Sequence, residues 1–323
     1  MCRLMEWELE FLRLYTSTNL SNAKKAFEIK RKNTPAKLYR YRDVPAPKLS
    51  YRKSEIAEGK IFLSHPQKLN DPFECWSILH NTSPAAYMDK STFINYYLKA
   101  GKSEELGIIR QNENWFEALT AWQSRKAPTL KGSQQIQLAI EDSIQNSMEE
   151  FNQEIRKRII DMVRFACFST TPTNLPMWYH YTNKRKGICL EYTTSDIKDT
   201  YQFNSLFPVQ YVDCLPDMAY KLAHKDAVTL SMPTYLSFHK LKDWSYENEW
   251  RLIYDAGHWI RNGEKLPEGF GTNGVIIDFV KPSKVILGTD IEPKIEKEIV
   301  ACAQEYNIAV VKSKLTEYGL CVD

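Results

Sequence analysis

Apolar residues between positions 6 and 32 recur at helical spacing, which predicts one or two helices, the second opened by Ser21 or Asn22 and closed by Pro35. The period then changes. "AKLYRYRDV" alternates as a strand does, and "SEIAEGKIFLSHP" reads as a helical turn stopped by Gly59 and followed by a second short strand. From about residue 84 to 161, "FINYYLKA", "NWFEALTAW" and "SQQIQLAIEDSIQNSMEEFNQEIRKRIIDM" return to helical spacing and predict a helical insertion. Strand-like runs resume in "VRFACFS", "KGICLEY", "LFPVQYV", "EWRLIY", "GVIIDF", "KVILG" and "IAVVKS", with helices expected at about 215–241 and 291–306. The sum is an α+β protein with a mixed or antiparallel sheet: an N-terminal helical segment over 1–36, then a core domain over 37–323 that carries the insertion.

Composition narrows this picture modestly. With 43% hydrophobic residues the chain buries a substantial core, and 43 Lys plus Arg against 40 Asp plus Glu leave no polyanion footprint. No run approaches the roughly 18 apolar residues of a membrane span. The amino terminus "MCRLMEWELEFLRLY" carries acids where a signal peptide is apolar, so a cytoplasmic protein without membrane partners is expected. Seven scattered cysteines, none in a Cys-x-x-Cys pair, argue against a disulfide framework or a zinc site, and no metal is expected. Walker, His-Glu-x-x-His, Gly-x-Ser-x-Gly and dinucleotide fingerprints are all missing, and "GFGTNG" at 269–274 is a plain glycine-bearing turn.

Four stretches bear polar groups in patterns that chemistry uses. "KLYRYR" sets Tyr39 and Tyr41 on one strand face and Arg40 and Arg42 on the other, where a guanidinium fork suits a phosphate or carboxylate; an edge strand with its arginines reaching to water accounts for the same residues. "KLNDPFE" is a turn in which Asn70 and Asp71 bond ahead to the backbone, either a structural corner or the lip of a pocket. "VRFACFSTTPTNLPMWYHY" ends a strand in Ser169, Thr170 and Thr171 and continues into an aromatic turn holding His180 and Tyr181, residues that serve a core equally well. "WSYENEWRLIY" puts Glu247 and Glu249 at strand spacing on one face, with Arg251 beside them as the cation of an ordinary salt bridge; the alternative is an acid aimed into a cleft to meet developing positive charge.

Taken in succession, "LYRYR", "FLSHPQKLNDPFE", "ACFSTTPTNLPMWYHYTNKRKGICLEY" and "DWSYENEWRLI" resemble a widespread bacterial family of unknown function, over roughly residues 37 to 290. A more distant resemblance is to ADP-ribosyltransferases of the Arg-Ser-Glu type. An arginine on the first strand, Ser-Thr-x ending a middle strand and Glu-x-Glu beginning a later one occur in that order here, although the middle motif reads Ser-Thr-Thr and "MWYHY" has no counterpart. That resemblance implies a split β-sheet cleft that binds NAD as co-substrate. In it Glu249 stabilises the ribosyl cation, Ser169 orients Glu249, and Glu247 takes the acceptor's proton. Arg40 or Arg42, with Tyr39, Asn70 and Thr170, hold the dinucleotide, and His180 or Tyr181 stacks on nicotinamide. It further implies transfer of ADP-ribose to a protein or nucleic-acid acceptor, with the insertion reading the target, and by analogy a toxin or phage-defence role with room for an antitoxin or regulatory partner. Two other classes fit the residues: a nucleic-acid-binding or nuclease module using Arg40, Arg42 and the Lys184–Lys186 turn, and a non-catalytic interaction protein whose acids form salt bridges.

Overall fold

A computed structural model describes residues 6–17, 19–76, 90–99, 101–126, 153, 156, 157, 159–216, 232–261, 263, 265–270 and 273–322. The chain divides into two units, one of residues 1–76, 159–215 and 228–323, the other of 77–158 and 216–227. Within the second, the described helices Lys90–Lys99, Ser103–Gln111 and Trp115–Lys126 pack around Tyr97, Ile109, Trp115 and Leu119. The expected helical run continues through 127–150, which lies outside the described residues, as does 217–231 of the helix expected at 215–241; its described end is a short helix, Met232–Ser237, followed by a strand.

The first unit is built on a nine-stranded sheet of β1 (Lys37–Arg42), β2 (Lys60–Ser64), β3 (Val163–Ser169), β4 (Ile188–Thr193), β5 (Leu206–Pro208), β8 (Glu249–Asp255), β9 (Gly274–Asp278), β10 (Lys284–Leu287) and β11 (Ala309–Lys312). Only β10 and β11 run parallel within it, so the sheet is mixed and mostly antiparallel. Two small sheets pair β6 (Gln210–Val212) with β7 (His239–Leu241) and β12 (Lys314–Thr316) with β13 (Gly319–Cys321); β7 falls where helix was expected, and the β12–β13 hairpin has no signal in the apolar pattern.

Strand alternation sorts the two faces. Leu38 of β1 packs with Ile56, Leu190, Ile295 and Ile299 in the main core, whereas Tyr39 and Tyr41 pack with Met177, Trp178, Cys189 and Leu320 on the opposite face. β1 is an interior strand, paired with β4 along its length and with β3 at Tyr39↔Ser169, so Arg40 is buried and Arg42 half-buried rather than reaching from an edge. Gly59, in the left-handed region at φ +65°, ends the helix Leu49–Ala57 as the sequence predicts, since a side chain there is strained.

β3 forks the sheet. On one edge it pairs with β8 from Val163↔Asp255 to Ser169↔Glu249; on the other it meets β2 at Phe165 and β1 at Ser169. β1 and β2 thus share one edge of β3 and part company between those registers.

The helix Leu20–Asn33 is capped by Asn19, whose side chain accepts from the Ser21 amide, rather than by Ser21 or Asn22. Its buried Lys30 anchors it: Nζ donates to the carbonyls of Phe203 and Leu206 at 2.7 and 2.9 Å and lies 4.5–4.8 Å from the ring centres of Phe27, Phe203 and Phe207. Lys30→Ala strands two carbonyls and opens a hole, so it is expected to lower the unfolding free energy by about 2–3 kcal/mol. The check is a urea midpoint that falls at constant slope; an unmoved midpoint contradicts the anchoring role.

Candidate functional site

A cavity of ≈ 100 Å³ opens where β1 and β2 diverge. β1 supplies one wall, the ends of β3 and β8 with Lys240 of β7 a second, the loop Leu69–Glu74 a third, and the inner face of the helix Leu175–Tyr181 closes over Met177 and Tyr181. That helix occupies the place of the expected aromatic turn. Asn174 starts it by accepting from the Met177 amide, while its own amide nitrogen donates to the Tyr246 carbonyl.

The two acids reach the cavity by a different route from the one expected. Glu247 is not on a strand; it ends a 3₁₀ turn, Lys242–Glu247, and Asn248 then takes a left-handed conformation, φ 45°, before β8 begins at Glu249. The reversal at Asn248, not strand alternation, brings both carboxylates to one side. Ser169 supports the turn rather than an acid: its Oγ donates to the Glu247 carbonyl at 2.7 Å, and the neighbouring Thr170 amide donates to the Asn248 carbonyl.

From there an ionic chain crosses the cavity wall. Arg251 grips Glu249 through Nε–Oε1 at 2.8 Å and Nη2–Oε2 at 3.1 Å, and its other side holds both oxygens of Glu74. Lys240 Nζ bridges Glu249 Oε2 at 3.1 Å and Glu247 Oε2 at 2.5 Å, and the Tyr181 hydroxyl donates to Glu247 Oε1 at 2.5 Å. Arg251 therefore is the salt-bridge partner the sequence offered, and Lys240, Glu74 and Tyr181 extend the bridge at both ends.

Burial and charge push the acids apart. Burial opposes ionisation of Glu249, but Arg251 and Lys240 outweigh it and hold this carboxyl well below the usual range. For Glu247, burial and then the adjacent Glu249 raise the carboxyl above its ordinary value, with Lys240 and Tyr181 offsetting only part. Glu74 is also raised by burial, against the pull of Arg251. One acid is thus held as a fixed charge, and its neighbour is the more basic of the two.

On the β1 wall the arginines divide similarly. Arg40 is fully committed, with Nη1 on Glu55 Oε1 at 2.8 Å and Nη2 on the Phe62 carbonyl at 2.6 Å; burial, then neighbouring Arg42, bring its guanidinium down to about 10. Arg42 reaches Glu55 Oε2 through Nε at 3.3 Å, while its buried Nη2 has no hydrogen-bond partner. Arg52 shares the same Glu55, so three guanidiniums surround one carboxylate and this side carries excess positive charge.

Tyr39, Arg40, Arg42, Asn70, Ser169, Tyr181, Glu247 and Glu249 all line the cavity. Thr170 and His180 do not; His180 is exposed on the outer face of its helix, edge-on to Tyr179. Sequence reasoning missed Lys240, Asp71 and Glu74 as lining groups. Lys240 lay inside an expected helix, and the two acids gave no signal beyond the turn chemistry of "KLNDPFE". Among the described residues no group of three or more His, Cys, Asp or Glu side chains is arranged to hold a metal ion, and no helix is long and apolar enough to cross a membrane.

The family model described as a protein of unknown function (DUF2971) matches residues 177–252. That span carries Tyr181, Lys240, Glu247, Glu249 and Arg251, and it is narrower than the 37–290 over which the motifs suggest a likeness; Arg42, Asp71 and Ser169 fall outside it. No curated protein and no solved structure matches the chain.

Proposed function

We propose that the cavity is the reaction centre of an NAD-consuming ADP-ribosyltransferase, which cleaves the bond from ribose to nicotinamide and passes ADP-ribose to a protein or nucleic-acid acceptor. The observation that carries this reading is convergence. Arg42, Ser169, Glu247 and Glu249, drawn from three strands and a turn far apart in sequence, meet around one cavity at the fork of the sheet.

The electrostatics support it. Three carboxyls, Glu74, Glu247 and Glu249, meet two cations, Arg251 and Lys240, on the β8 side of the cavity, and the β1 wall is cationic. Nicotinamide departure leaves positive charge on the ribose, which the acidic wall stabilises, while pyrophosphate suits the excess positive charge of the β1 wall. Glu249, kept ionised, supplies the fixed charge; Glu247, raised and held by Tyr181, is the group suited to take the acceptor's proton. Structural stabilisation alone is a weak reason for this network, because buried ion pairs seldom outperform well-packed apolar residues, and these line a hole rather than a filled core.

Size limits what enters. At ≈ 100 Å³ the cavity is smaller than the roughly 150 Å³ that holds a whole six-membered ring, so the nicotinamide end enters it only in part and the adenosine end stays outside. The test is incubation of the full chain with NAD and chromatographic detection of nicotinamide, with water and then added protein and oligonucleotide as acceptors. Release is expected; its absence under all three conditions overturns the proposal. A nucleic-acid module built on the arginines is less favoured, because Arg40 is buried and held by Glu55 and the Phe62 carbonyl and Arg185 is paired with Asp290.

A further inference from the structure

Most charged groups around the cavity are held by partners within the protein. Both oxygens of Glu74, Glu247 and Glu249 are bonded, as are Lys240, Arg251 and Arg40. Two exceptions stand out. One is Arg42, with its spare Nη2. The other is Asp71: Oδ1 accepts from the Phe73 amide at 2.8 Å, but among the described residues Oδ2 meets no donor. Asp71 is only 5% exposed, lines the cavity and pairs with no cation. The bond to Phe73 sits inside the turn and fixes the carboxylate's orientation, leaving Oδ2 as an acceptor free for a ligand in the cavity that Asp71 lines.

An oriented acceptor on a largely buried side chain, met by no donor among the described residues, suits a donor on the ligand. We propose that Asp71 determines substrate specificity by accepting a hydrogen bond from an N–H of the group that enters the cavity, which selects a neutral carboxamide on the pyridine ring and rejects a carboxylate there. This inference rests on the NAD reading above and names which end of the dinucleotide is recognised. A site built to accept a hydrogen bond discriminates strongly, because the wrong ligand leaves Asp71 unpaired, and a carboxylate in the same place adds repulsion between like charges.

The experiment compares kcat/KM for NAD with that for nicotinic acid adenine dinucleotide, whose ring bears the carboxylate, by following release of nicotinamide or nicotinic acid. The wild-type protein is expected to prefer NAD by about 100-fold or more. Asp71→Asn keeps Oδ1 for the Phe73 amide and places an NH₂ where Oδ2 stands, so the preference is expected to fall at least about tenfold, chiefly by gain on the nicotinic acid dinucleotide. Equal use of both substrates by the wild-type protein overturns the inference and leaves the NAD reading intact. So does an Asp71→Asn variant that loses both activities in proportion, which marks a purely structural turn. No release from NAD removes both proposals together. Should the variant fail to fold by circular dichroism, the wild-type ratio decides alone.

Discussion

Glutamine at position 249 is expected to abolish nicotinamide release while the protein stays folded. The substitution keeps the side chain's shape and one carbonyl oxygen for Arg251 or Lys240 but removes the fixed negative charge that the proposed reaction sets against a ribosyl cation. Neither cation is stranded by it. Arg251 retains both oxygens of Glu74, and Lys240 retains Glu247. Loss of one preorganised electrostatic group costs about 10²–10³ in rate, so release falls to the limit of detection; the thermal midpoint falls as well, since the amide nitrogen cannot accept from Arg251 or Lys240, and circular dichroism at the assay temperature checks that the protein is still folded. A Glu249→Gln protein that releases nicotinamide at the wild-type rate removes Glu249 from the reaction and shifts attention to Glu247, the other acid lining the same cavity.

Arg251→Ala is expected to have the largest effect on stability. Arg251 is completely buried and answers two buried carboxylates, Glu74 and Glu249; without it both remain in the interior, with Lys240 as the remaining cation for Glu249. Breaking a buried pair by removing one partner costs about 3–5 kcal/mol, more than an exposed bridge can contribute. The deficit has a predictable pH dependence. The folded-state pKa of Glu249 is depressed below its ordinary 4.5, so its contribution to wild-type stability is present above 4.5 and is lost as pH falls through the folded value. The variant lacks that contribution, so its deficit is largest at neutral pH and shrinks in acid as the stranded carboxyls protonate. Urea unfolding of both proteins at neutral and acidic pH measures it; a deficit under about 1 kcal/mol at pH 7 contradicts the importance of the ion chain.

The residues of the site differed in how far local pattern could place them. Tyr39 and Arg40 fell on opposite faces of β1 as period-2 alternation requires, and Ser169 ended its strand, because both facts depend only on neighbouring residues. Glu247 and Glu249 were correctly paired for an incorrect reason, since a left-handed Asn248 mimics strand spacing in its outcome but leaves no mark in the apolar pattern. Lys240 was illegible: it sits on a three-residue strand beyond an apolar run that reads as helix, and its role comes from an acid at the end of the following turn and another at the start of β8. The choice between Arg40 and Arg42 was equally closed to sequence, because Glu55 and the Phe62 carbonyl reach Arg40 only once the helix Leu49–Ala57 and β2 pack against β1.

What the sequence determined by itself was the alternation of helix and strand texture, the α+β class and the polar motifs at strand ends, since side-chain periodicity and turn chemistry are properties of a few adjacent residues. Tertiary structure alone decided the fork at β3, the cavity within it and which charges there are satisfied. An ionic group's state depends on partners supplied through space by other strands and loops, and Arg42 and Asp71 keep an open valence because packing brought them none.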